Sequence, residues 1–367
     1  QLVSGDGGKS FWCFWWGLGC NYVQDAANLP GSGIANWAPI YDSEYWEIPA
    51  KADPITPDEC LVAGYKTPSP EGSYLVRLKA PADLEPGELR SLEQEYGQFD
   101  FKAASGGGRI GAIGISPLDN RHIYVMTDNG VFFWSLDKGV SWQQNNAAQG
   151  KIWVRYLSVS PVNPGEVFIG GAAYGDQTPC WRTTDHGQTL VPAEDPSGSI
   201  LNNNRINALC FDPAGQFVFA AADIGAFVYA IAEGTWHLIS GAPAPLTHFH
   251  DVEYLENSNT VRFATFARGV WDFRIESLVS GTAAPARAQP LQVFPNPAFD
   301  EIVLDAGPGD ALRILDRAGR VVYQQAVGFY APATRLRLLV GTYPPGDYFV
   351  TVWQKNGAVR SGKFVKM

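Results

Sequence analysis

At 367 residues the chain is long enough for one large domain and one small one, on a prior of roughly 100–200 residues per domain. Thirty-nine glycines and 26 prolines, with only 17% charged residues, suit strands and turns better than exposed helices. A formal charge of −10 argues against a nucleic-acid partner, and no apolar run reaches the roughly 18 residues of a membrane helix.

The chain opens on Ser4-Gly5-Asp6-Gly7-Gly8-Lys9-Ser10-Phe11. The same spacing returns at Ser135-Leu136-Asp137-Lys138-Gly139-Val140-Ser141-Trp142, and at Thr183-Thr184-Asp185-His186-Gly187-Gln188-Thr189-Leu190 with leucine in the aromatic place. In such a turn aspartate accepts backbone N–H bonds, glycine supplies a positive φ, and the last large residue tucks into a core. No secretory signal precedes Gln1, so the chain is expected either to start at a processed terminus or to be a piece of something longer.

Residues 11–50 are the least repetitive and the richest in aromatics, and an irregular insertion on a rim is expected over about 12–57. Trp15, Trp16, Trp37 and Trp46 are candidates for stacking on a sugar. Asp25, Asp42 and Glu44 are candidate catalytic carboxylates, because glycoside hydrolysis needs two acids roughly 5–10 Å apart. A plainer reading stands beside this one, with Trp12 and Trp15 as core and the rest an ordered loop cluster. Of the five cysteines, Cys13 and Cys20 are close enough along the chain to form a disulfide across a loop. Cys60, Cys180 and Cys210 cannot be paired from sequence.

A unit of about 44 residues then recurs. Its first strand and turn read Ala112-Ile113-Gly114-Ile115-Ser116-Pro117, Leu157-Ser158-Val159-Ser160-Pro161 and Ala208-Leu209-Cys210-Phe211-Asp212-Pro213. The copy Asp251-Val252-Glu253-Tyr254-Leu255-Glu256 has lost the proline, and a weaker copy is expected over 58–100. Four short strands per 40–50 residues is the period of a propeller blade. The expected fold is all-β, a propeller of about 5–7 four-stranded blades over 1–278. At its N-terminus two readings stay open: upstream blades are missing, or Gln1–Phe14 complete the last blade.

His248-Phe249-His250 places two imidazoles together. Without a third ligand at recognisable spacing they do not make a metal site, and no cofactor motif appears. Residues 279–289 are rich in Ser, Gly, Ala and Pro and read as a linker. Over 290–367 the texture changes to short strands with turn signals at Asp316-Arg317-Ala318-Gly319 and Asn356-Gly357, which predicts a small antiparallel β-sandwich.

Two resemblances follow from these motifs. The Ser/Thr-x-Asp-x-Gly strings resemble Asp-boxes, the signature of sialidase-like and sortilin-like (BNR-type) propellers. This implies that Ser4, Asp6, Gly8, Ser135, Asp137, Gly139, Trp142, Thr183, Asp185 and Gly187 are structural. The sialidase Arg-Ile-Pro opening is absent. The FPNPA opening at 294–298, the LRILDRAGRVV run, PPGDYFVTV and the closing GKFVKM resemble the C-terminal sorting domain of type IX secretion cargo in Bacteroidota. That implies export to the outer-membrane surface or beyond through the type IX machinery. The expected role is a binding, adhesion or structural module for a glycan, a protein partner or copies of itself. The alternative is a polysaccharide hydrolase of xyloglucanase-like type, less favourably of sialidase-like type.

Overall fold

Ile110–Ile115, Ile123–Thr127 and Phe132–Ser135 are buried along almost their whole length, a pattern that arises when a sheet is covered on both faces. In a computed structural model the chain splits into two compact units, Gln1–Glu276 and Ser277–Met367. The structure describes residues 2–15, 19–27, 34–37, 48–64, 72–81, 83–85, 89–174, 177–193, 201, 204–240, 244, 246–274, 289–306, 311–317, 320–326, 335–353 and 359–367.

The first unit is a β-propeller, with six sheets in chain order among the described residues. Sheet one holds Leu2–Val3, Phe11–Trp15, Gly19–Val23, Ile34–Trp37 and, in parallel pairing, Leu89–Ser91. Sheet two runs Ala50–Ala52, Glu59–Gly64, Tyr74–Lys79 and Glu93–Tyr96. Sheets three, four and five are four-stranded antiparallel meanders beginning at Ile110–Ile115, Ile152–Val159 and Ile206–Phe211. Sheet six has three strands, Phe249–Leu255, Thr260–Thr265 and Val270–Arg274.

Each sheet packs face to face on the next. Trp12 meets Cys60 and Val76 between sheets one and two; Leu61, Phe101 and Phe133 fill the next interface. Tyr124 and Phe132 pack on Ile152 and Ile169, Phe168 on Leu209 and Trp236, and Phe219 on Val252 and Phe263. Among the described residues no such cluster joins sheet six to sheet one. The far face of sheet six carries Glu253, Arg262 and Asp272 side by side, with an Arg262–Asp272 ion pair at 2.8 Å. A charged outer face is how a stack of repeats ends against water.

Three expectations are corrected here. Much of the expected insertion is regular strand, because Phe11–Trp15 and Gly19–Val23 bury Trp12, Phe14, Cys20 and Tyr22 against sheet two. Leu2–Val3 pair with Trp12 and Cys13 inside sheet one, so Gln1–Phe14 do not complete sheet six. The Cys13–Cys20 disulfide does not form: Cys13 lies opposite Asn21 and Cys20 opposite Phe14, which sends the two thiols to opposite faces of the sheet. All five cysteines are free thiols.

The three aspartate turns share one hydrogen-bond pattern. The Ser4, Ser135 and Thr183 hydroxyls each donate to the carboxylate two residues on, at 2.9, 2.7 and 2.9 Å. Each also accepts from the N–H of Gly8, Gly139 or Gly187, at 2.8 Å in every case. The Ser141 hydroxyl and N–H, with the Ser135 hydroxyl, hold the Asp137 carboxyl down to about 2. In sheets three and four the turn joins the third strand to the fourth, whereas Ser4–Ser10 join the first strand of sheet one to its second.

The second unit is a two-sheet sandwich around Ile302, Ile314, Val350 and Phe364. Its opening motif is tied to its closing one. Asn296 accepts from the Val365 N–H at 2.9 Å and donates to the Lys363 carbonyl at 3.2 Å, and buried Ala298 donates its N–H to the Val365 carbonyl.

Candidate ligand site at the channel mouth

The turn between first and second strands is built alike in four sheets. The residue before a proline accepts the N–H of the residue after it, in Asp53-Pro54-Ile55, Ser116-Pro117-Leu118, Ser160-Pro161-Val162 and Asp212-Pro213-Ala214. Asp53-Pro54 is a copy that the sequence reading missed, since that reading began the repeat at residue 58. Six residues upstream of Pro117, Pro161 and Pro213, and of Glu256 in the proline's place, the innermost strand has a β-bulge. The four extra residues are Gly111, Arg155, Asn207 and His250, and all line the central channel. A bulge re-aims one side chain out of the strand's alternation, so a repeated backbone presents four unlike groups to one cavity.

That cavity measures about 650 Å³ and is lined from the first strands of all six sheets. At the end where the chain crosses from sheet to sheet, Trp153 is 39% exposed and the Arg155 guanidinium lies 5.6 Å from its ring centre. The Trp153 strand approaches closely because residue 171 is glycine: a Cβ there would lie 2.2 Å from the Trp153 carbonyl oxygen. Beside them Asp223 accepts from Arg205 at 3.1 Å, from Asn207 at 3.1 Å and from His248 at 3.0 Å. Asn207 also donates to the Phe249 carbonyl at 2.9 Å, so this network ties sheet five to sheet six. The His248 and His250 rings stack with centres 6.0 Å apart.

Lys51, Tyr156 and Asp251 also line the channel, from sheets two, four and six. Burial pushes the Lys51 ammonium toward its neutral form, opposed by Cys210 and the Asp251 carboxylate. Burial likewise raises the Tyr156 phenol, with Asp251 adding to the rise, and pushes the Cys210 thiol up to about 12.

The residues singled out from sequence lie elsewhere. Asp25 is exposed and caps a turn by accepting the Ala27 N–H at 3.0 Å. Trp15 and Trp37 have backbones in sheet one, where Trp37 pairs with Cys20. Trp16, Asp42, Glu44 and Trp46 lie outside the described residues. Trp153, Asp223 and Lys51 were not singled out; aligning the repeats on their prolines, with Glu256 standing in for the last, marks Arg155, Asn207 and His250 as equivalent.

In the second unit, the ordered pairing of FPNPA with GKFVKM decides the assignment. Residues 292–367 match the family described as the secretion system C-terminal sorting domain. This sorting domain marks the chain for secretion by the type IX route, to the cell surface or the extracellular space. No curated protein matches the sequence. Among solved structures, the β-propeller domain of Cps50 (Swd1) from Myceliophteria thermophila is 14% identical, with a TM-score of 0.52 over 74% of this chain and 82% of that one. An ancestral GH74 enzyme is 11% identical, with a TM-score of 0.47 over 99% of this chain and 46% of that one. At 14% identity, the likeness to the Cps50 domain speaks to the fold alone.

Proposed function

We propose that residues 1–276 are an exported Asp-box propeller that binds a glycan at the crossover end of its channel. One observation carries this reading: the strand bulge recurs in four consecutive sheets while the residue it presents changes from Gly111 to Arg155, Asn207 and His250. Scaffold repeats with unlike side chains at one rim are how a fold acquires a site. A half-exposed tryptophan flanked by hydrogen-bonding groups suits the alternating apolar and hydroxyl faces of a sugar ring.

At the mouth, the Asp223 carboxylate is engaged by three donors, which suits it to holding the rim rather than to acid–base work. A glycan array probed with the whole chain tests this. Retention that Trp153→Ala and Asn207→Ala abolish supports the reading; equal retention by wild type and both variants sinks it. Reducing ends released from a retained glycan would replace it with the hydrolase alternative.

A further inference from the structure

We propose that the channel takes an acidic saccharide, a uronate-bearing glycan end, and that Lys51 supplies the charge that selects it. The inference rests on the glycan reading above and specifies its ligand.

Lys51 pairs with Leu61 in sheet two, between Ala50 and Ala52, whose side chains pack toward sheet one. Strand alternation therefore sends the lysine the other way, where it lines the channel. Among the described residues its ammonium makes no hydrogen bond or ion pair, and Cys210, Asp251 and Cys60 act on it only through electrostatics. An ammonium held there without a partner costs free energy, which a bound anion would offset. Its lowered proton affinity in the free protein is a mark of that cost.

The surrounding charge points the same way. The whole chain carries 37 acidic against 27 basic residues. Around the channel the signs balance instead, with Lys51, Arg155 and Arg205 against Asp251, Glu253 and, at the mouth, Asp223, which pairs with Arg205. Arg155 beside the half-exposed Trp153 ring combines a planar guanidinium, which pairs a carboxylate through two parallel N–H bonds, with a ring platform for a pyranose. A volume of about 650 Å³ matches a small ligand such as a disaccharide end, within the roughly 300–1,000 Å³ of such sites.

Titration calorimetry of the whole chain with digalacturonate, galactobiose and sodium sulfate tests the inference. Digalacturonate is expected to bind at least about tenfold tighter than galactobiose, tenfold corresponding to one charge-assisted contact. Because the anion favours the lysine's charged form, binding is expected to take up protons at some pH below the ordinary lysine range, read across a pH series in two buffers of different ionisation enthalpy. Lys51→Met should abolish both the preference and the uptake while galactobiose still binds. Arg155→Gln, on another sheet, should reduce the preference, and this second variant keeps the test open should the first fail to fold. Equal affinity for the two sugars, an unchanged preference in Lys51→Met, or sulfate binding as tightly as digalacturonate would overturn the inference and leave the glycan reading standing. Binding of neither sugar would remove both.

Discussion

The Asn120 side chain donates to the Asp53 carboxylate at 2.9 Å, joining the first turn of sheet three to that of sheet two. Asp53 is 1% exposed and also accepts the N–H groups of Ile55 and Thr56, at 2.8 and 2.9 Å. Asp53→Ala is therefore expected to strand three donors and cost about 2–4 kcal/mol, against about 1 kcal/mol for Asn120→Ala. Urea unfolding followed by tryptophan fluorescence measures both. Equal effects would mean that the link between sheets, not the turn, carries the stability.

The aspartate turns differ in how crowded their glycines are. A Cβ on Gly187, at φ 103°, would lie 2.5 Å from a Phe132 ring carbon, whereas one on Gly8, at φ 86°, would meet nothing within 4 Å. Gly8→Ala should cost about 1 kcal/mol for the backbone conformation alone. Gly187→Ala should cost that plus roughly 1–3 kcal/mol of overpacking. Thermal midpoints of the two variants, compared side by side, decide the ranking.

His186 joins sheets three and four. Its Nδ1 lies 2.8 Å from the Tyr124 hydroxyl, which itself donates to the Pro164 carbonyl, so His186 donates to Tyr124. Burial and the neighbouring His122 lower its proton affinity, against a smaller opposite pull from Asp185. A histidine harder to protonate folded than unfolded adds stability above its unfolded pKa of about 6.5 and loses it as the pH falls. The unfolding midpoint should drop below about pH 6.5, and His186→Asn, which tolerates the positive φ of 64°, should flatten that drop. A variant with the wild-type pH profile would remove His186 as the cause.

Alkylating the protein under denaturing, non-reducing conditions should modify all five cysteines, since none is bridged. Mass spectrometry reads the count. Three labels with Cys13 and Cys20 protected would require sheet one to be threaded differently.

Within the sorting domain, Phe364 is fully buried and stacks on Tyr348 at 5.2 Å. Phe364→Ala should destabilise that unit by about 3–5 kcal/mol. Hydrogen exchange across residues 346–353 would report it as faster exchange, and unchanged protection would contradict the packing.

What the sequence determined by itself is what neighbours along the chain can arrange. Ser135, Asp137 and Gly139 close their own turn, Pro117 and Pro161 mark the same corner 44 residues apart, and the Leu336-Arg337-Leu338 alternation declares a wet and a dry face. These bonds span a few residues, so residue type and spacing suffice to read them. The tertiary structure decided the rest. Cys13 and Cys20 look like partners in one dimension, yet strand pairing turns them to opposite faces. Lys51, Arg155, Arg205 and Asp251 stand far apart in sequence and line one channel only because the sheets share one axis. Convergence about that axis depends on how whole sheets pack, which a linear pattern of residue types does not encode.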